Sequence, residues 1–345
     1  MEGTVDRGQA GRSFQAHGSA MPITLRQLEI FIAVAETQQV TKASKKLFLT
    51  QSAVSMALAE LENQLGGLLF DRQGRSLLLN DRGRYLLPLG QDIISQVNNV
   101  ESLMSEHSGS LAGSLRIVAS STIGNYLLPY LIGFFIHRHP NVNIDMLVVN
   151  TKVAEELIVD GNYDLGFVEG AVSSERLQII PWFQDELVIF AGPTHDTASR
   201  DHFRIPEDLK KCRWIMREEG SGTAQIFKSK LGEHASDLRV VMKLGHSEAI
   251  KKAVESGAGV GCLSILTICR EMEHGWLKRF QVDGVDMHRQ LLMIHRKNKA
   301  KTRLINKFMD FCSIMTECSQ SRKCLTSPWK LQDLLANYDE TVDLH

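Results

Sequence analysis

Cysteine is scarce in this chain of 345 residues: there are six, and none forms a C-x-x-C pair. That excludes a disulfide scaffold. Cys212, Cys262, Cys269, Cys312, Cys318 and Cys324 read as thiols packed in or near a core. An excess of one charge is also missing. Lys and Arg total 39 against 40 for Asp and Glu, a formal charge of −1. This excludes a histone-like polycation and an acidic solvating chain. Long apolar runs are absent as well. Stretches such as residues 65–70 and 187–191 are broken by glycine or charge within a few positions. None approaches the ~18 residues needed to span a bilayer. Residues 1–20 are polar and glycine-rich, without a basic-then-apolar secretion signal. The expected location is the cytoplasm, with no membrane partner.

Catalytic and cofactor motifs are missing too. Ser221 in Gly220-Ser221-Gly222 lacks the G-x-S-x-G frame of a nucleophile turn. The run Gly257-Ala258-Gly259-Val260-Gly261 lacks the G-x-G-x-x-G context of a dinucleotide site. His137-Arg138-His139 does not have metal-ligand spacing on one helix face. No catalytic residue, metal or cofactor is expected, and the chain reads as a non-enzyme.

What is present is modular. Residues 1–20 read as a disordered extension and residues 319–345 as a polar tail. From Leu25 the apolar residues Leu28, Ile32 and Ala35 follow a helical period. A second helix starts near Thr41, taken as its cap. A third follows Thr50, with Val54, Leu58, Leu61 and Leu65 on one face. Residues 68–70, 71–75 and 76–79 read as strand, turn and strand. Two helices joined by a short turn and followed by a hairpin predict a winged helix-turn-helix domain over residues 21–84. Its second helix would enter a DNA major groove.

The chemistry fits that use. Gln51, Ser52 and Ser55 can bond base edges or phosphates, and Ala53 allows close approach to a thymine methyl. Thr50 opens the helix, Lys42 belongs to a basic cluster with Lys45 and Lys46, and Arg72 and Arg75 sit on the wing. Residues 21–84 hold eight basic and six acidic side chains, an excess of only +2. Affinity would therefore need dimerisation. A linker helix is expected over residues 85–110. Leu86, Ile93 and Val100 repeat there at seven, a short coiled-coil seam for pairing subunits. Pro88 should kink or end its first part.

Beyond residue 110 short strands alternate with helices, as in an α/β fold with a mainly parallel sheet. Two lobes are expected within residues 111–318. Lobe I covers about 111–190 and 290–318, and lobe II about 191–289. A ligand belongs where strands end and helices begin, between the lobes. Ser120, Ser121 and Thr122 mark one such end, Thr151 a second and Glu169 a third. Ser221 and Thr223 mark another in lobe II. Hydroxyls and free N–H groups at helix starts suit an anion.

The run from Leu25 to Phe31 (LRQLEIF), with Val40 to Leu47 (VTKASKKL), resembles the opening of LysR-type transcriptional regulators. So do Thr50 to Ser55 (TQSAVS), Leu61 to Gly66 (LENQLG) and Leu69-Phe70-Asp71-Arg72. The resemblance covers about residues 21–318. It implies an α+β multidomain class: an N-terminal winged helix-turn-helix, a long linker helix and a C-terminal two-lobed α/β periplasmic-binding-protein-like effector domain. It implies a homodimer, usually a tetramer, on promoter DNA with an interrupted inverted repeat, and RNA polymerase is an expected partner. It implies a small-molecule inducer, with Ser120, Thr122, Thr151 and Ser221 at the usual contact positions. The runs Ser120 to Pro129, Phe167 to Gly170 and Arg217 to Thr223 look like the branch for sulfur assimilation and carbon fixation. A sulfite- or sulfate-type anion is the expected inducer. Met56 departs from the family, which often carries a longer polar or basic residue there. Two alternatives stand beside this reading: a redox-sensing regulator using Cys262 and Cys269, and a ligand-binding module that no longer binds DNA.

Overall fold

A computed structural model of the chain describes residues 23–74, 76–104, 111–297 and 301–321. Arg75, residues 1–20, Cys324 and the tail past residue 321 lie outside the described residues. The chain divides into two units, one ending at Ile94 and the other starting at Ser95.

The first unit is built by local signals. Helix α1 (Leu25–Thr37) opens with a capping box, in which Thr24 Oγ1 accepts from the Gln27 N–H and Gln27 Oε1 accepts from the Thr24 N–H. Helix α2 (Val40–Lys46) begins after Gln39, so Thr41 lies inside the helix and does not cap it. Helix α3 (Gln51–Gln64) is capped by Thr50, whose Oγ1 accepts from the Ala53 N–H at 3.2 Å. Phe31, Val34, Ala43, Val54, Leu58 and Leu61 form the core between the three helices. The wing strands are β1 (Phe70–Gln73) and β2 (Ser76–Leu79), antiparallel. Residues 71–73, expected as turn, are therefore strand, and the first strand starts two residues later than expected. Leu69 and Phe70 are buried while Leu68 stays exposed, the strand pairing extends to Gln73 opposite Ser76, and Gly74 follows at φ +61°. Helix α4 (Asp81–Met104) continues through Pro88. Packing of Leu86 and Leu87 on the helical core holds that turn despite the missing N–H.

The second unit alternates strands and helices. Its first part runs β3 (Ala112–Ser120), α5 (Ser121–Tyr126), α6 (Leu128–Arg138), β4 (Asn141–Val149), α7 (Thr151–Val159), β5 (Leu165–Glu169) and β6 (Leu177–Ala191). There follow β7 (His202–Arg204), β8 (Trp214–Arg217), α8 (Gly222–Leu231), β9 (Val240–Leu244), α9 (Ser247–Glu255), β10 (Val260–Ser264) and α10 (Ile265–Glu273). The unit closes with β11 (Lys278–Asp283), β12 (His288–Arg296) and α11 (Arg303–Ser321). The strand order is β4-β3-β5-β12-β6-β10-β8-β9, with β11 beside β6 and β7.

Two elements depart from a simple strand–helix alternation. The segment after β3 is two helices and not one, because the chain breaks at Leu127 and restarts with Pro129 in the first turn of α6. The short apolar run at residues 187–191 is only the end of a 15-residue strand, β6. Its first part pairs with β12 in lobe I and its last five residues pair with β10 and β11 in lobe II. Pro181 hid the earlier half. A register shift leaves Trp182 as an extra residue between Pro181 and Phe183, and this bulge accommodates the missing donor. Pairs of β3 with β4 and β5, and of β8 with β9 and β10, are parallel. The strands that join the lobes, β6 and β12, run antiparallel to their neighbours.

Candidate functional site

Two surfaces gather the expected residues. On the first unit, Lys42, Thr50, Gln51, Ser52, Ser55 and Arg72 are all exposed. Gln51, Ser55, Lys42 and Arg72 make no side-chain hydrogen bond or ion pair among the described residues. Thr50 is committed to its cap, and its Oγ1 lies 3.1 Å from Ser52 Oγ. Lys46, by contrast, is held by Glu36 at 2.6 Å, and among the described residues Lys42 and Lys45 are the cations of the cluster without an ion pair. Helix α3 thus offers unpaired polar groups beside cations on α2, while Arg75 lies outside the described residues.

The second surface lies between the lobes of the second unit and is built in the opposite way. Ser120, Ser121, Thr122, Thr151, Glu169, Ser221 and Thr223 are all buried. Four of them, Ser120, Thr122, Thr151 and Thr223, gather around a fifth, Glu169. Ser120 donates its hydroxyl to Glu169. Thr122 and Thr223 lie 3.4 and 3.3 Å from the same carboxylate. Thr151 Oγ1 donates to the Glu169 carbonyl at 2.8 Å. Ser221 caps α8 by accepting from the Ala224 N–H. Ser121 stands apart from Glu169 and meets Arg217 at 3.1 Å.

The approach of the lobes here is set by glycine. A Cβ on Gly222 would stand 1.8 Å from the Glu169 carbonyl oxygen, so no other residue fits. Gly170, at φ +98°, faces it from lobe I. A backbone bond from the Lys152 N–H to the Gly220 carbonyl crosses the same seam at 3.3 Å.

Two guanidiniums complete the site, and neither was singled out as a contact by sequence reasoning. Arg289 of β12 pairs with Asp185 of β6 at 2.7 Å, with side-chain exposures of 1% and 0%. It also donates to Thr223 at 3.0 Å and reaches Thr122 at 3.4 Å. Ser264 donates to the other oxygen of Asp185. Arg217, at the end of β8, donates to Ser121 of lobe I and lies 3.4 Å from Ser247 at the start of α9. Its counter-ion is the neighbouring Glu218, in a two-pronged pair at 2.8 and 2.9 Å. The available signal was a charged residue ending or interrupting an apolar strand, as in Trp214-Ile215-Met216-Arg217 and Asp185 before Leu187-Val188-Ile189.

Further along the seam, Lys251 is buried between Glu248 and Glu271 at 2.6 and 2.7 Å. Tyr126 of lobe I donates to Glu248. Burial and the Glu248 carboxylate push the Tyr126 hydroxyl far above its ordinary range. Burial would raise Glu248, but the bonds from Lys251 and Tyr126 outweigh it and hold the carboxyl below its usual value.

The cysteines are placed for packing. Cys212, Cys262, Cys269 and Cys312 are buried. Burial pushes Cys212 up to about 11 and Cys269 up to about 12. It drives Cys262 and Cys312 up as well. A thiolate is the reactive species, so these environments disfavour oxidation chemistry. The side chain of Cys318 is outside the described residues. Among the described residues, no cluster of His, Cys, Asp or Glu could hold a metal, and no helix is long and apolar enough to cross a membrane.

Comparison with known proteins bears on both surfaces. Residues 25–84 match the family described as bacterial regulatory helix-turn-helix protein, lysR family. Residues 108–314 match the LysR substrate binding domain. The chain is 41% identical to the HTH-type transcriptional regulator YeiE of Escherichia coli (strain K12), over 85% of this chain and 98% of that one. It is 31% identical to the RuBisCO operon transcriptional regulator of Allochromatium vinosum, over 84% and 96%. Among solved structures, a full-length OxyR variant from Pseudomonas aeruginosa superposes with a TM-score of 0.67 at 20% identity, covering 85% of this chain and 98% of that one. The Synechocystis PCC6803 CcmR regulatory domain in complex with 2-PG is 28% identical, with a TM-score of 0.56, over 59% of this chain and 98% of that domain.

Proposed function

The chain belongs to the lysR family of DNA-binding transcriptional regulators, which are not enzymes, and from that premise we propose that a small anion held between its lobes controls its grip on promoter DNA. Lys42, Thr50, Gln51, Ser52, Ser55 and the wing arginines Arg72 and Arg75 are the proposed DNA contacts. Ser120, Ser121, Thr122, Thr151, Glu169, Ser221 and Thr223 are the proposed effector shell, with Arg217 and Arg289 added to it. The protein acts in the cytoplasm as a dimer or tetramer and communicates with RNA polymerase. Pairing runs through α4, whose Leu89, Ile93 and Val100 are exposed in the single chain.

One observation supports an anion above all. The Arg217 side chain is 2% exposed and bridges hydroxyls of both lobes, yet its counter-ion Glu218 is 27% exposed. A carboxylate near solvent is the easiest partner to displace. An oxyanion at that point meets a guanidinium, Ser121, Ser247 and the N-terminus of α9. Glu169 does not block this, because Ser120, Thr122 and Thr223 already engage its carboxylate. Sulfite and sulfate fit this chemistry, as do small organic phosphates and carboxylates. Relatives that regulate RuBisCO operons and a ligand-bound CcmR domain favour a metabolite effector in general.

Thermal unfolding of the full chain tests the reading. Sulfite, sulfate, thiosulfate and small organic phosphates would each be added in excess. A ligand at 100 times its Kd adds about 2.7 kcal/mol to the native state. The expected result is a shift with one anion class that Arg217→Met and Ser121→Ala both remove. A shift with neutral metabolites alone would overturn the anion assignment. DNase footprints with and without that anion should differ, since a ligand acts only through unequal affinity for two states. Identical footprints would sever the effector site from DNA control.

A further inference from the structure

The geometry of α3 points to thymine as the base it reads, and we propose that Met56 is the specificity-determining side chain, through contact with the thymine 5-methyl group. This rests on the reading that α3 enters a major groove. Val54, Leu58 and Leu61 are buried and fix the inward face of the helix. At 100° per residue the opposite line runs through Ser52, Met56 and Asn63, flanked by Ala59 on one side and Glu60 on the other. All five are exposed. Gln51 and Ser55 lie to one side of that line. The side chain at the centre of the face is therefore Met56, 72% exposed.

The rest of the helix removes the common alternative. Guanine is read most often by a bidentate Arg or Lys. Residues 51–64 contain neither, and they carry two carboxylates, Glu60 and Glu62. Attraction to phosphate must come from elsewhere, such as Lys42 and Lys45 on α2 and the wing. The N-terminal residues of such a helix are the ones that meet base edges; Glu60 and Asn63 lie in its second half, so direct readout from the outward line of the first half is left to the Ser52 hydroxyl and the Met56 thioether. In the major groove only thymine presents a methyl group. Methionine, unbranched and polarizable, fits such a surface without demanding one hydrogen-bond geometry. Gln51, on the flank, is suited to an adjacent adenine. The half-site core facing α3 is thus A·T pairs, read on one strand by an amide and on the other by a methyl group.

The experiment uses the full chain and random-sequence duplex DNA. Bound duplexes are enriched, a consensus is chosen, and each thymine is replaced in turn by deoxyuridine, which deletes the methyl and keeps the pairing. One thymine per half-site should weaken binding about fourfold, the worth of one buried methyl-sized group. In Met56→Ala that dependence should vanish, while the salt dependence that reports phosphate contacts stays unchanged. Met56→Arg should move the preferred base at that position to guanine. The proposal is overturned if no thymine responds, or if the uracil effect survives in Met56→Ala. Failure to enrich any sequence would instead overturn the groove reading of α3, and this inference with it. Met56 is exposed, so unchanged circular dichroism and thermal unfolding are expected of both variants.

Discussion

The polar residues of the helix-turn-helix unit and those of the lobe seam are chemically alike but differently employed. Gln51, Ser52 and Ser55 face solvent, and the side chains of Gln51 and Ser55 have no partner among the described residues. Ser120, Thr122, Thr223, Glu169 and Arg289 are buried and bonded to one another. An exposed polar group can be given to a ligand at little cost to the fold. A buried one already contributes to the fold, and a ligand must replace what it displaces. The first surface should therefore respond to mutation in binding alone, and the second in stability and binding together.

Arg289→Ala gives the largest expected effect. It leaves Asp185 buried and uncompensated, which costs about 3–5 kcal/mol. Urea unfolding would measure it. The double change Arg289→Met with Asp185→Leu should recover most of the loss, since an apolar pair replaces an ion pair at little cost. Failure to recover would mean the hydroxyls around Arg289 need the guanidinium itself.

Gln51→Ala should lose about 1–3 kcal/mol of binding to the specific site and nothing on random DNA. Its unfolding midpoint should not move. Equal loss on both DNAs would make Gln51 a phosphate contact. A loss of stability would break the contrast between the two surfaces.

A smaller effect is expected at Phe48, which is 96% exposed and held at φ +55°. It closes α2 with bonds from its own N–H to the Lys45 carbonyl and from the Leu49 N–H to the Ser44 carbonyl. That ending normally takes glycine. Phe48→Gly should stabilise the first unit by about 0.5–1 kcal/mol, by relieving the left-handed strain. Weaker DNA binding in the same variant would show why an aromatic stands there.

Mild acid should separate the units most gently. Residues 23–94 contain no histidine. In the second unit, burial lowers His139, with Arg138 and Lys307 adding to it, and burial lowers His295. Their folded values lie below the ordinary 6.5, so the unfolded chain takes up protons first. Their contribution is full above that value and declines as pH falls towards the folded one. Thermal unfolding between neutral pH and pH ~5 should lower the second unit's midpoint, and His295→Gln should flatten the slope.

The sequence by itself determined the helix-turn-helix unit and the alternation of strands and helices. Those features are local. Thr24 and Thr50 cap helices a few residues away, and Val54, Leu58 and Leu61 meet the core through helical spacing. It also marked Ser120, Thr122, Thr151 and Thr223, because hydroxyls at the starts of helices are visible in order along the chain. Only the tertiary structure decided what those hydroxyls touch. Glu169 is 49 residues from Ser120, and Arg289 is 104 from Asp185 and 167 from Thr122. No periodicity links such positions. They meet because β6 and β12 carry the chain across both lobes, and because Gly222 admits the backbone of Glu169. The long first half of β6 stayed hidden for the same reason. A proline argues against a strand locally, and only the pairing partner across the bulge makes it one.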